Sequence, residues 1–174
     1  MPVPTDLLED DLCRAFAEKT AQSEDFKNWV LSRTKFSGDR FFTRVLKDEQ
    51  IAARPNVLPN RWWRHWWWKI PDLDHEYETD VFLVLGNEKG APFALHTEVK
   101  LGSGFSPGQA QSYHPRAEYV MAHDGRVPHQ DFATVLVAPR QLLDRSASDA
   151  ALFDCVFLLD ELAVFMAEFA QAVA

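Results

Sequence analysis

Helices that precede, interrupt and follow a set of apolar strands predict an α/β chain, arranged as a three-layer α/β/α sandwich around a mixed central sheet of about four to five strands. Three observations carry this. The stretch TDVFLVL (79–85) is apolar at successive positions, as a strand covered on both faces must be. DFATVLVAP (131–139) repeats that pattern. Around and between them lie segments whose apolar residues recur at helical spacing. The 174 residues contain no internal repeat and no Pro/Gly/Ser-rich linker, so a single domain over 1–174 is expected.

From the start of the chain, residues 6–20 place Leu8, Leu12, Ala15, Phe16 and Lys19 on one helical stripe. Thr5 is the expected cap, and Asp6, Glu9, Asp10 and Asp11 suit the positive end of the helix dipole. Ser23 is expected to cap a second helix with Phe26, Trp29 and Val30 on one face. A third helix is predicted over 39–50, with Phe42, Val45 and Leu46 inward, before Pro55 and Pro59 break the chain. RWWRHWWWKI (61–70) reads as a strand, because aromatic residues favour pleated surfaces, and PDLD after it suits a hairpin turn.

Beyond TDVFLVL, GNEKGAP is turn material and FALHTEVK (93–100) a second strand. A helix is expected through PGQAQSYHPRAEYVMAH, with Pro107 in its first turn. DFATVLVAP follows, FDCVFLL (153–159) is a fifth strand, and DELAVFMAEFAQAV is a terminal amphipathic helix.

Composition narrows the class. Two distant cysteines, Cys13 and Cys155, make no disulfide framework and are expected to be buried small apolar residues. The first residues show no basic and apolar leader, and no apolar run spans a bilayer. A cytoplasmic chain with no membrane partner is the expectation. Net charge is −8, yet residues 27–69 hold ten of the 18 Lys and Arg against three acids, leaving that segment at +7 and the rest at −15. Such a stretch can attract a polyanion or form a solvated face. The tryptophans at 62, 63, 66, 67 and 68 are expected mainly in the core, with base stacking as the alternative.

Strand parity singles out one cluster. In 93–100, His96, Glu98 and Lys100 share a face. Asp80 heads the preceding strand, joined by a loop of about six residues, so an antiparallel pairing brings Asp80 beside Glu98 and Lys100. Two carboxylates repel unless a cation lies between them. Mg²⁺ suits such oxygen ligands, and a neighbouring ammonium can orient water or offset charge on a phosphate. That is equipment for metal-assisted phosphodiester hydrolysis.

Asp80 followed by Glu98-Val99-Lys100, and then Gln109-Ala-Gln-Ser-Tyr113, resembles the PD-(D/E)XK nuclease superfamily, in the branch with a Gln-x-x-x-Tyr motif. The resemblance runs along most of the chain in order, though its specific part is five or six residues, and Thr79 stands where the signature has proline. It implies a restriction-endonuclease-like core. It also implies a nuclease dependent on Mg²⁺, with Mn²⁺ as a substitute, acting on nucleic acid, DNA before RNA. By the same resemblance Asp80 and Glu98 ligate the metal, with the Val99 carbonyl as a further ligand. Lys100 positions or polarises the attacking water, and Glu9 in the first helix assists, with Glu18 as its rival. Gln109 and Tyr113 line the site and contact substrate. His96, on the face of Glu98, is a candidate for contact with substrate or water. Asp25-Phe26-Lys27 repeats the acid-x-Lys spacing on what reads as a solvated helix. Specificity would come from loops, a second copy of the chain or a partner protein. The alternative reading is a catalytically inactive module that binds nucleic acid or protein on the same scaffold.

Overall fold

A computed structural model describes residues 7–64, 66–71, 73 and 76–174. In chain order the elements are α1 (Glu9–Gln22), α2 (Glu24–Ser32), β1 (Thr43–Val45), α3 (Lys47–Ala53), β2 (Trp66–Trp68), β3 (Tyr77–Thr79), β4 (Val81–Asn87) and β5 (Gly90–Val99). They continue with α4 (Gln109–His123), β6 (Asp131–Ala138), α5 (Arg140–Arg145), α6 (Ala147–Ala150), β7 (Cys155–Leu158), α7 (Leu159–Ala163) and α8 (Ala167–Val173). Short 3₁₀ turns cover Arg40–Phe42 and Pro59–Arg61.

Five strands form one mixed sheet in the order β1-β4-β5-β6-β7. The β1/β4 and β4/β5 pairs are antiparallel, and the β5/β6 and β6/β7 pairs are parallel. A separate antiparallel ribbon joins β2 to β3. Alternation along the strands divides the core in two. Val81, Leu83, Leu85, Leu95, Val99, Val135 and Val137 pack with Leu12, Phe16, Phe26 and Val30 of α1 and α2. On the other face Phe82, Val84, Ala94 and Phe132 meet Trp66, Trp68, Ala117 and Val120. Helices on both faces of a five-stranded mixed sheet make the expected three-layer sandwich.

Local chemistry explains three of the boundaries. Ser23 Oγ accepts from the Phe26 N–H (3.2 Å), capping α2 as expected. The β4/β5 hairpin is tighter than expected, because the strands run on to Asn87 and Gly90 and leave only Glu88 and Lys89 between them. At the start of α4, Gly108 sits at φ 77°, and an added Cβ would lie 3.1 Å from the Tyr77 hydroxyl. That conformation favours glycine.

Several expectations are corrected. α1 begins at Glu9, because the Asp11 carboxylate takes the Leu8 N–H (3.1 Å); Leu8 therefore caps the helix, exposed, rather than joining the buried stripe. The expected cap Thr5 lies outside the described residues. The helix predicted over 39–50 is instead a 3₁₀ turn, the strand β1 and then α3. Thr43 and Val45 face inward around exposed Arg44, a strand pattern, and Phe42 is exposed. Where β1 stops, the side chain of Gln50 continues its work, accepting from Val84 N–H (2.8 Å) and donating to the Phe82 carbonyl (2.9 Å). Among the described residues of the 61–70 segment, only Trp66–Trp68 is strand. β2 does turn back antiparallel onto β3, but Asp72 and Asp74 of the predicted turn lie outside the described residues. α4 begins at Gln109, so Pro107 precedes the helix rather than entering it. The terminal helix is split into α7 and α8 at 164–166.

The basic segment is also resolved. Lys27 pairs with Glu24, Arg33 with Glu161, Lys35 with Asp131, Arg44 with Glu49, Lys47 with Glu18 and Arg64 with Asp10. Arg54 donates to the carbonyls of Trp62 (2.8 Å) and Arg64 (3.0 Å). Most of this charge is therefore paired rather than displayed as a continuous basic face. Lys27, expected in solvent, is buried and donates to the Thr43 carbonyl, tying α2 to β1. Both cysteines are free and buried. Among the described residues no helix is long and apolar enough to cross a membrane.

Candidate functional site

The site lies where β4 begins and β5 ends. Val81 pairs with Thr97, so Asp80 lies one step beyond the register and opposite Glu98. Its Oδ2 accepts from the Val99 N–H at 3.0 Å. Asp80, Glu98 and Lys100 thus converge at one end of the sheet, as parity predicts.

Glu98 is 1% exposed and fully engaged. Its Oε1 accepts from Lys100 Nζ (2.9 Å) and from Gln109 Nε2 (2.7 Å), and its Oε2 accepts from the Tyr113 hydroxyl. Lys100 also donates to Gln109 Oε1 (3.1 Å), which takes the Ser106 N–H as well (3.1 Å). Gln109 and Tyr113, one turn apart on α4, therefore grip the acid and the ammonium from the same helix face. The Lys100 N–H, bonded to the Val137 carbonyl (2.8 Å), anchors the strand end to β6.

Glu9 arrives from α1. Its Oε1 accepts from the Leu101 N–H (3.1 Å) and from Ser103 Oγ (3.0 Å), so it reaches the residue after Lys100. Its rival Glu18 is elsewhere, holding Lys47 (2.9 Å) and the Trp62 indole N–H (2.8 Å).

Beside Asp80 opens a cleft of about 180 Å³ lined by Glu9, Asp10, Cys13, Arg64, Glu78 and Asp80. Four acids face one guanidinium there. Burial and then the neighbouring Glu98 carboxylate push Asp80 well above the usual carboxylate range, outweighing the Val99 N–H and the Lys100 ammonium. Burial, followed by the carboxylates of Asp80, Glu98, Asp10 and Glu9, pushes the Cys13 thiol up. The thiol thus lies within the field of four carboxylates. A divalent cation would relieve that repulsion.

Among the described residues no three His, Cys, Asp or Glu side chains close around a common point as a metal cage. Mg²⁺ needs no such cage, since one or two carboxylates plus waters and substrate phosphates suffice. Asp80, to which no basic side chain is bonded among the described residues, fits that role; Glu98 fits it only by exchanging one of its present donors.

His96 is corrected. It is fully buried among Trp68, Phe82, His129 and Phe132, and neither ring nitrogen has a partner among the described residues. β5 is central and its face at 96 is roofed by the β2–β3 ribbon, so His96 reaches neither cleft nor solvent. Burial, with Arg116 and His129 nearby, holds its imidazole well below 6.5. Sequence reasoning missed Asp10, Cys13, Arg64 and Glu78 in the cleft wall. Only Glu78 left a usable trace, standing two residues before Asp80.

Comparison of the chain with protein-family models, with curated proteins and with solved structures finds no match.

Proposed function

We propose that the chain is a metal-dependent nuclease that hydrolyses phosphodiester bonds in nucleic acid, DNA before RNA. One observation carries the reading: Asp80 stands in a cleft lined by four acids and one guanidinium, with no basic side chain bonded to it among the described residues, beside a strand end where Glu98 and Lys100 form a buried pair gripped by Gln109 and Tyr113. Such crowded acids cost stability and are kept where a ligand uses them.

Asp80 and Glu98, with the Val99 carbonyl and Glu9 as further oxygens, would hold Mg²⁺ or Mn²⁺. The ion would supply Lewis-acid stabilisation of charge on the phosphate. The chain's own residues supply the rest. Lys100, its ammonium aimed by Glu98 and Gln109, orders the attacking water and offsets charge on a non-bridging oxygen. Tyr113 keeps one Glu98 oxygen in place. Gln109 ties the loop at Ser106 to the ammonium, and Glu9 pins Leu101 and Ser103, so the strand end is held on both sides.

The test is a cleavage panel over single- and double-stranded DNA and RNA with Mg²⁺, Mn²⁺ or chelator. The parent cuts at least one substrate with metal and none with chelator. Asp80→Asn, Glu98→Gln and Lys100→Ala lose activity while keeping their circular dichroism. Variants that cut as fast as the parent overturn the assignment.

The engagement of both Glu98 oxygens by three side chains favours a second reading, an inactive module binding nucleic acid or protein. Divalent ions separate the two. A nuclease gains thermal stability with Mg²⁺ and loses that gain in Asp80→Asn, whereas an inactive module shows no gain.

A further inference from the structure

Of the five tryptophans in 62–68, Trp62, Trp63, Trp66 and Trp68 are buried and Trp67 is 48% exposed. The alternation of β2 explains this. Trp66 and Trp68 turn inward, with ring centroids 4.8 and 5.2 Å from Phe82, and so the indole between them must turn outward.

Where it faces is informative. Trp67 pairs directly with Glu78 across the ribbon, and Glu78 lines the acid cleft. Directly paired residues share a face with Cβ atoms about 4.5–5.5 Å apart. The exposed indole therefore stands at the cleft's edge. Three residues earlier, Arg64 forms part of the cleft wall. Asp10 (2.7 Å) directs its guanidinium, the Trp63 ring braces it (5.8 Å), and its Nε has no partner among the described residues. Lys69, two residues after Trp67, is exposed. At the cleft the chain thus presents a guanidinium and then an exposed indole, with the exposed Lys69 further along the ribbon, beyond the pairing of Trp68 with Tyr77. Cations that take phosphates, alternating with aromatic faces that take bases, are the equipment of single-strand binding.

We propose that the β2–β3 ribbon is a platform for an unpaired strand: Trp67 stacks on a base of single-stranded nucleic acid while Arg64 takes a phosphate beside the cleft. The substrate is then a single strand or a frayed end. A continuous duplex keeps its base faces inside the stack and offers nothing to the indole. This rests on the nuclease reading for the identity of the polymer, but binding can be read apart from cleavage.

The experiment measures fluorescence anisotropy of a labelled single-stranded oligonucleotide and of its duplex, with Ca²⁺ in place of Mg²⁺. The proteins are the parent, Trp67→Ala, Trp67→Phe and Arg64→Gln. The parent binds the single strand more tightly than the duplex. Trp67→Ala weakens single-strand binding about tenfold and leaves duplex binding unchanged. Trp67→Phe recovers most of the loss. Arg64→Gln lowers the salt dependence of binding by about one phosphate contact. Thermal unfolding of Trp67→Ala matches the parent, since the indole supports no core. Single-strand affinity untouched by Trp67→Ala, equal losses for both polymers, or a parent that binds neither would each overturn the platform. Cleavage separates the two ideas. A parent that cuts with Mg²⁺ regardless of Trp67→Ala leaves the nuclease and removes the platform. A parent that holds a single strand through Trp67 yet cuts nothing does the reverse.

Discussion

Tyr113 donates its hydroxyl to Glu98 from a position with no solvent exposure, and the Thr97 carbonyl lies 3.4 Å from the same oxygen. Burial and then the Glu98 and Asp80 carboxylates push this phenol well above its ordinary value, which favours its role as a donor.

Replacing Tyr113 by Phe removes that donor without changing the ring. One Glu98 oxygen is then buried without its partner, at a cost of about 1–3 kcal/mol. Urea unfolding should show that loss. Cleavage should fall about 10–100-fold, as expected when a residue orienting a metal ligand is removed. Equal turnover in parent and Tyr113→Phe would detach the helix α4 from the chemistry.

Lys100 and Glu98 are 7% and 1% exposed at their side chains. Lys100→Met leaves a buried carboxylate without its cation and should destabilise the fold by about 3–5 kcal/mol. Adding Glu98→Gln should recover much of this, because the double variant buries no unpaired charge. A double-mutant cycle in urea measures the coupling, and additive losses would show that the pair contributes little.

Asp80 carries the opposite sign. Its folded value is raised, so the folded state binds its proton more tightly than the unfolded chain. Its charge therefore subtracts stability as pH rises from 3.8 through the folded value, and the penalty is complete above it. Asp80→Asn should raise the unfolding midpoint at pH 7 by roughly 2–4 °C without metal. The parent, at Mg²⁺ a hundredfold above Kd, should gain about 2.7 kcal/mol that the variant does not. A variant no more stable than the parent in chelator would show that Asp80 is not crowded.

His129 is buried, its Nε2 has no partner among the described residues, and burial holds it below 6.5 against the pull of the Val127 carbonyl. The unfolded chain takes up a proton near 6.5 and the folded chain does not. Stability from this group is therefore complete above that pH and declines as pH falls toward the folded value. Thermal midpoints between pH 7 and 5 should decline less in His129→Phe than in the parent. Comparing the two slopes removes the opposing contribution of Asp80, which both proteins share. Parallel slopes would contradict the assignment.

The layers were legible because β4 and β6 are apolar at consecutive positions, a pattern that few other arrangements tolerate. Asp80, Glu98 and Lys100 were legible because an antiparallel hairpin and a period of two fix who meets whom. What escaped depended on distant partners. The 39–50 segment has helical spacing, but β4 offered an edge to Thr43–Val45 and the Gln50 side chain completed the pairing. His96 has the parity of a site residue, yet the roof over it comes from Trp68, far away in sequence. Arg64 and Cys13 joined the cleft only through tertiary packing.

The two outermost strands of the main sheet, β1 and β7, are three and four residues long, and β1 turns Arg44 to solvent. Margins so brief offer a passing chain few amides to pair with, which guards the molecule against fibrillar growth. Association of two copies through the main sheet would therefore have little backbone to pair and would have to draw on side chains.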